Sequence, residues 1–323
     1  MVERIAVITS GGDVPGLNAC IRAIVHTAAH HKIEVMGVRH GYDGLISGEL
    51  VPLNVDSVHD IMQRGGTILH SARSKRFETG EGRTAAAQTL AKHGITNMIV
   101  IGGDGSLTGA GLFAKEHGLH IVGIPKTIDN DVTGTDICIG YDTAVNTAME
   151  ALDRIRDTAD SHERMFVIEV MGRDSGYIAY AAGIAGAADG ILIPETTTDW
   201  NLLTQVLRER HAGRTGSLLI VVAEGDESGG AEKLGKKLAQ EFPNEKLGIC
   251  VLGHTQRGGS PSAADRILAS RFGVAATDAI AAGKTNIMVG IQGDQIAFTP
   301  LNEIRRKHLE LTAERQRLLQ MLL

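Results

Sequence analysis

Proline is scarce in this chain of 323 residues, with only 7, and no strict Gly-X-Y period runs through it, which excludes collagen and Pro/Gly-rich disorder. Cysteine is scarcer still, at 3. Cys20, Cys138 and Cys250 are widely spaced and form no CxxC pair, so a zinc framework is not expected and reduced thiols in the cytoplasm are. A basic excess is missing too. Lys+Arg 32 against Asp+Glu 38 leaves a net charge of −6, which argues against nucleic acid or a polybasic membrane surface as partner. No apolar run approaches the roughly 18 residues of a membrane span, and no charged-then-apolar leader precedes the first strand pattern. Linker tracts, charge blocks and internal repeats are also lacking.

Against these absences stand two surpluses. Hydrophobic residues make up 43% of the chain, enough for a substantial core. Glycine numbers 40, where an average of about 7% would supply roughly 23. Such an excess calls for local reasons, such as tight turns or backbone approached closely by a ligand.

Short β-branched runs alternate with longer helical patterns throughout. Strands are expected at Arg4–Thr9, Ile33–Val38, Asn97–Ile101, His120–Ile124, Met165–Val170, Gly190–Ile193, Leu218–Ala223, Ile249–Leu252 and Ile287–Ile291. Helices are expected at Leu17–His30, Gly82–His93, Leu107–His117, Thr143–Ala159, Ser175–Ala185, Trp200–His211 and Ala263–Ala282. Continuous apolar strands separated by helices give an α/β fold with mainly parallel sheets, and the strand count points to two of them.

The glycines cluster. Gly-Gly pairs stand at 11–12, 65–66, 102–103, 229–230 and 258–259. Two of these follow a strand and precede a helix, in Thr9-Ser-Gly-Gly-Asp13-Val-Pro-Gly16 and Ile101-Gly-Gly-Asp104-Gly-Ser106. Such a turn exposes backbone N–H groups and the positive end of a helix, which suits phosphate. Neither loop reads GxGxxG, so a dinucleotide site is not supported. The stretch Gly230–Lys237 approaches a Walker A loop but lacks Ser/Thr after the lysine and lies where a helix should run, and Gly283-Lys-Thr285 closes a helix instead of opening one.

A third strand end reads Gly123-Ile-Pro-Lys126-Thr127-Ile-Asp129-Asn-Asp131. In a parallel sheet the carboxyl ends of strands face the ligand crevice. Two aspartates at spacing two, with Asp104 at another strand end, supply what phosphoryl transfer needs: one carboxylate to accept a hydroxyl proton and another for Mg²⁺. Anionic substrates then require basic residues. Arg73, Arg164, Arg173 and Arg257 are the candidates, the last two standing beside glycine at strand ends, where a planar fork can meet phosphate.

Together these motifs resemble the ATP-dependent 6-phosphofructokinases. Thr-Ser-Gly-Gly-Asp-x-Pro-Gly, Gly-Gly-Asp-Gly-Ser, Thr-Ile-Asp-Asn-Asp, Val-Met-Gly-Arg and Leu-Gly-His-x-Gln-Arg-Gly-Gly-Ser-Pro occur in family order over nearly the whole chain. The resemblance implies Asp129 as the general base for the sugar 1-hydroxyl, supported by Thr127 and Asp131. It implies a phosphate-donor site for ATP at Gly11, Arg73, Ser74, Gly103, Asp104, Gly105, Ser106 and Lys126, with Asp104 as the Mg²⁺ position. Fructose 6-phosphate would be met by Thr127, Asp129, Arg164, Met171, Gly172, Arg173, Glu224, His254 and Arg257. The implied fold has two doubly wound domains with the active site in the cleft between them. Residues 1–139 plus 255–304 would bind the donor, and 140–254 plus 305–323 the sugar phosphate. A homotetramer is also implied, in which the position of Arg164 reaches a neighbouring subunit's site.

Three departures from the family pattern set further expectations. Lys126 stands where ATP users mostly have glycine and pyrophosphate users have lysine, while Gly105 replaces the aspartate common in the latter. Room at Gly105 favours ATP, with pyrophosphate as the alternative donor and a non-catalytic nucleotide- or sugar-phosphate-binding regulator as the alternative class. Gly248 stands where the family commonly has an arginine, which predicts weaker sugar-phosphate binding unless Lys246 compensates. Of the basic effector cluster in regulated relatives, Arg22 and Arg156 match, Arg214 lies nearby, and His26, Val55 and Gly213 break it, so allosteric control by ADP or phosphoenolpyruvate is not expected.

Overall fold

The computed structural model describes residues 2–213 and 217–322. Along the chain the elements are β1 (Arg4–Thr9), α1 (Leu17–His30), β2 (Glu34–Val38), α2 (Gly41–Ser47), β3 (Leu50–Leu53), α3 (Gly80–Lys92), β4 (Asn97–Gly102), α4 (Asp104–His117), β5 (His120–Pro125) and α5 (Tyr141–Asp160). They continue as β6 (Met165–Val170), α6 (Tyr177–Ala185), β7 (Gly190–Leu192), α7 (Trp200–Gly213), β8 (Leu218–Ala223), α8 (Gly230–Glu241), β9 (Leu247–Val251), α9 (Ala263–Ala281), β10 (Ile287–Gln292), β11 (Gln295–Pro300) and α10 (Ala313–Leu322). The chain divides into two compact units, residues 1–143 with 257–306 and residues 144–256 with 307–323.

The first unit is built on a seven-stranded sheet ordered β11-β10-β5-β4-β1-β2-β3. β1, β2, β4, β5 and β10 run parallel, while β3 and β11 close the two edges antiparallel. From their second residue on, β1, β4 and β5 are buried without a break, because helices cover both faces of a parallel sheet. The strand order reverses between β1 and β4, and a doubly wound sheet opens its ligand crevice at that reversal, outside the carboxyl ends. Register makes the placement concrete. Thr9 lies beside Ile101 and Gly102 beside Pro125, so the Ser10, Gly103 and Lys126 loops leave the sheet side by side.

Helices α1 and α9 pack so closely that a Cβ on Gly273 would stand 2.8 Å from Ala23 Cβ and from the Cys20 carbonyl. Phe113, fully buried, anchors the other face, where its ring meets Phe77 edge-on at 5.2 Å. Truncating such a ring to alanine typically costs about 3–5 kcal/mol.

The second unit holds a four-stranded, all-parallel sheet ordered β7-β8-β6-β9. All six residues of β8 are buried, and Met165, Val167, Ile220, Val222 and Leu234 belong to its core. No helix among the described residues is long and apolar enough to cross a membrane.

The mixed α/β class with mainly parallel sheets agrees with the sequence reading. Several elements differ. β3 and β11 go unannounced because they are edge strands without a continuous apolar run, and each carries a proline (Pro52, Pro300) that an edge tolerates. α2 hides behind Gly41 and Gly44. α4 begins at Asp104 and not at Leu107, so Asp104, Gly105 and Ser106 form the first helical turn and are not loop residues.

Candidate active site

In the first unit the Lys126–Asp131 segment is held by backbone. Lys126 donates its N–H to Gly102 O (3.0 Å), Thr127 donates to Ile139 O (3.2 Å), and Ile139 donates back to Pro125 O (3.2 Å). Asn130 locks the turn. It adopts the left-handed conformation (φ 52°) that asparagine tolerates better than most residues, accepts a hydrogen bond from Cys138 N (2.9 Å) and donates Nδ2–H to Asp136 O (3.0 Å). Asp129, only 5% exposed, donates its backbone N–H to the Thr127 hydroxyl at 3.1 Å. Asp131 is likewise buried. The asparagine between the two aspartates is there for conformation, and they carry the charge.

The lysine beside them is strongly perturbed. Lys126 is buried and its ammonium donates to the Gly12 carbonyl. Burial lowers its pKa from 10.5 to about 8; Arg257 and Arg73 add to the shift, while Asp13 and Asp129 oppose it. The same balance shows the convergence: Arg73, Arg257, Asp13 and Asp129 all act on one ammonium. A Cβ on Gly12 would lie 2.5 Å from Arg257 Nη1, and one on Gly11 would lie 3.4 Å from Lys126 Nζ. The first Gly-Gly pair therefore makes room for two cations. Arg257 Nε is buried with no hydrogen-bond partner among the described residues, which leaves that nitrogen unspent on the fold.

The β1 loop is braced from the 70s segment. Gly11 N–H donates to Ala72 O (3.2 Å), Ser71 Oγ donates to Gly11 O (2.6 Å), and Ser106 Oγ donates to Ser10 Oγ (2.9 Å). Arg73 is exposed beside this brace. Ser74 turns the other way: its hydroxyl donates to Asp43 and accepts from Phe77 N, which places it in its own turn.

The second Gly-Gly pair opens α4. A Cβ on Gly102 would lie 2.4 Å from Ser106 Cβ, so only glycine lets the strand turn directly into the helix. Around Gly105 a Cβ would meet nothing within 4 Å among the described residues. Asp104 Oδ2 lies 3.4 Å from Arg306 Nη2, and Arg306 Nε lies 3.4 Å from Asp131 Oδ2.

In the second unit the strand ends of β6, β8 and β9 gather another set. Arg173, in the left-handed conformation (φ 52°), donates its backbone N–H to Glu224 Oε1 at 2.7 Å. Gly172 has φ 152°, and a Cβ there would meet Ser175 O at 2.3 Å. Buried Gln256 accepts from Met171 N (3.2 Å) and donates to Gly253 O (3.0 Å), tying the Met171-Gly-Arg173 turn to the turn that carries exposed His254. Arg164 is not in this set. It precedes β6 while Met171–Arg173 follow it, and six residues of strand separate them by roughly 20 Å. Its Nε is buried without a partner among the described residues.

Sequence reasoning gave Gln256, Asp265 and Arg306 no role. Asp265 is fully buried, accepts from Gly140 N and Thr143 N (both 2.8 Å) and has a pKa raised chiefly by burial. Nothing in its helical surroundings announces a partner more than 120 residues away. Gln256 was visible inside its motif, whereas Arg306 carried no signal at all. The near-Walker stretch resolves as α8, whose Ala231 N–H already donates to Glu169 (2.8 Å). At Gly248 a Cβ would meet the Phe166 ring at 2.3 Å, so the neighbouring strand's aromatic fills the space an arginine would need. Lys246, exposed, precedes β9 and accepts the Met165 N–H through its carbonyl (3.1 Å). Arg156 donates to Gly186 O and Ala187 O, and Arg214 lies outside the described residues.

The fold and these strand-end groups define a two-unit, doubly wound α/β protein with acids and bases gathered at the carboxyl ends of parallel strands. Comparison with known proteins specifies it further. Residues 4–280 match the family model described as Phosphofructokinase. An ATP-dependent 6-phosphofructokinase of Thermus thermophilus is 50% identical over 321 residues, covering 99% of each chain. The phosphofructokinase structure from Saccharomyces cerevisiae superposes with a TM-score of 0.88 at 38% identity, covering 93% of this chain and 45% of the longer yeast chain. A pyrophosphate-dependent phosphofructokinase from Marinobacter aquaeolei superposes with a TM-score of 0.85 at 26% identity, covering 99% of this chain and 91% of that one. The chain belongs to the phosphofructokinase family.

Proposed function

We propose that this chain transfers the terminal phosphoryl group of ATP to the 1-hydroxyl of fructose 6-phosphate, forming fructose 1,6-bisphosphate and ADP. The observation that carries this reading is the convergence of Lys126, Arg73 and Arg257 on the Gly11–Gly12 loop beside buried Asp129. Such a site meets a phosphate with three cations and the incoming hydroxyl with one carboxylate, which is the division of labour phosphoryl transfer requires.

Asp129 accepts the proton of the sugar hydroxyl, and the Thr127 hydroxyl, already bonded to its backbone N–H, holds the turn that aims it. Lys126 and Arg73 neutralise the donor phosphates, Gly11 and Gly103–Ser106 present backbone to them, and open space at Gly105 admits a nucleotide. Arg257 serves the transferred group from the Gly12 side. Arg173, Met171, Glu224 and His254 are read as the sugar-phosphate residues, and Gln256 positions their turns.

The residues fit Mg²⁺. Asp104 and Asp131, each 3.4 Å from the Arg306 guanidinium, would offer a divalent ion hard carboxylate oxygens. Water and donor phosphate would complete the shell, as Mg²⁺ prefers. When bound, the ion supplies charge neutralisation on the donor phosphates.

An arginine reaches far less than the roughly 20 Å between Arg164 and the Arg173 turn, so Arg164 cannot serve the sugar site of its own chain. This supports a homo-oligomer, read as a tetramer, in which Arg164 serves a neighbour. The setting is read as the cytoplasm, with neither membrane nor nucleic acid as partner. A second reading, pyrophosphate as donor, is favoured by Lys126 reaching the same loop.

One assay separates the readings: formation of fructose 1,6-bisphosphate with ATP and with pyrophosphate, side by side. ATP is expected to dominate; pyrophosphate alone supporting turnover would replace the donor, and neither would leave the regulator. Asp129→Asn should lose about 10²–10⁴-fold in kcat while fructose 6-phosphate still binds. Undiminished kcat would remove Asp129 as base.

A further inference from the structure

Arg306 lies outside every motif, yet its guanidinium spans two of the carboxylates named above, with Nη2 3.4 Å from Asp104 Oδ2 and Nε 3.4 Å from Asp131 Oδ2. Its backbone is held at that spot. Arg306 forms an isolated antiparallel bridge with Val132, Thr133 N–H donates to Arg305 O (3.0 Å), and Arg305 N–H donates to the Thr133 hydroxyl (2.8 Å). This short seam fixes the arginine beside the residue that follows Asp131. Its side chain is 35% exposed, against 28% for Asp104 and 4% for Asp131, so the guanidinium is shielded on the Asp131 side and open on the other.

We propose that Arg306 is a positioning residue and a built-in competitor for the divalent cation. It bridges Asp104 and Asp131 and supplies one positive charge beside both before any metal arrives. The proposal rests on the reading of Asp104 as the cation position. Two carboxylates beside one guanidinium repel each other, and the cost rises where one of them is buried. An arginine whose fork reaches both relieves that repulsion, which a compact ammonium cannot do at two sites at once. A divalent ion binding the same oxygens must then displace the guanidinium or share the carboxylates with it. Affinity of the free protein for the bare ion is thereby held down, and the ion enters with the phosphates of the donor, which bring their own negative charge.

The consequence has a sign that a purely structural arginine would not produce. If Arg306 merely held the loop, its loss would scatter the carboxylates and weaken metal binding. If it competes, its loss strengthens metal binding. The test is titration of the full chain with Mn²⁺ alone, without nucleotide or sugar, followed by the electron paramagnetic resonance signal of free Mn²⁺. Arg306→Gln is expected to bind Mn²⁺ about tenfold more tightly than the unmodified protein, with Arg306→Lys in between. Equal affinity in the Gln variant and the unmodified protein, including no detectable binding in either, overturns the proposal, as does weaker binding in the variant. If Arg306→Gln does not fold, the Lys variant carries the test, and an unchanged affinity there overturns it. Adding Asp104→Asn to Arg306→Gln should abolish the gain. A gain that survives places the ion elsewhere, so that the reading of Asp104 fails and not only the role of Arg306.

Discussion

Two loops in the first unit share the tripeptide Gly-Gly-Asp, and both leave a central parallel strand at its carboxyl end, yet they are built differently. After β1, Gly11 takes φ 86°, Gly12 is pressed against Arg257, and helix α1 waits until Leu17, past Pro15 and Gly16. After β4, Gly103 has ordinary φ of −81°, Asp104 is already helical, and Gly105 faces open space. The first pair of glycines clears room for side chains arriving from positions 126 and 257. The second keeps the end of a helix clear of side chains. The same three letters thus serve different needs: the first pair admits two protein cations, and the second leaves the backbone around Gly105 open.

The largest effect should come from breaking the first loop. Gly12→Ala puts a Cβ 2.5 Å from Arg257 Nη1 and forces the guanidinium aside, and a displacement of about 1 Å at such a group costs on the order of 10²-fold in kcat/KM. Thermal melting should barely move, because the clash falls on a flexible tip. Steady-state kinetics beside a melting curve would check both, and a variant with normal kcat/KM would show that Arg257 is not held by that loop.

Next in size is the lysine that fills the loop. With a pKa of about 8, Lys126 is protonated below that pH and loses its charge above it, so the KM for the phosphate donor should climb as pH rises through 8. Lys126→Met should raise that KM roughly tenfold at pH 7 and flatten its rise. Stability carries its own sign. The folded value lies below the 10.5 of a free lysine, so between pH 8 and 10.5 the unfolded chain binds more protons and this residue makes the fold more stable as pH rises. Denaturant midpoints of the two proteins across that window should converge toward high pH; parallel curves would contradict the burial of the charge.

The second loop should respond less. At Gly105 an added Cβ meets no described atom within 4 Å, so Gly105→Asp should change stability by less than about 0.5 kcal/mol, while the added charge raises the KM for ATP about fivefold. An unchanged KM would mean that the donor does not pass this position. The smallest effect belongs to Gly103→Ala, whose Cβ would find its nearest neighbour, Lys126 O, at a comfortable 3.7 Å. Its rates should stay within about threefold of the parent. A loss equal to that of Gly12→Ala would erase the difference between the two loops.

Much of the candidate site was legible because motif residues sit where apolar strands end, and strands are the most readable elements of a doubly wound sheet. Asp129, Lys126 and Arg257 became candidates this way. The helical start at Asp104 was not, since two glycines in four residues disguise a first turn whose stability comes from the sheet beneath it. Arg306 was illegible for another reason. Its partners Asp104 and Asp131 lie some 200 and 175 residues away, as positions 306, 104 and 131 show, and the seam of Val132 with Arg306 and Thr133 with Arg305 brings them together.

By itself the sequence determined the α/β class, the parallel core strands, the family and the chemical types at each strand end, because local periodicity and short motifs encode all of these. Tertiary structure alone decided that Lys126 is buried against the Gly12 carbonyl, that Phe166 fills the space at Gly248, and that one arginine spans two carboxylates. Those facts concern distance and exclusion from water, which depend on which segments the sheet order brings side by side, and no local pattern carries that information.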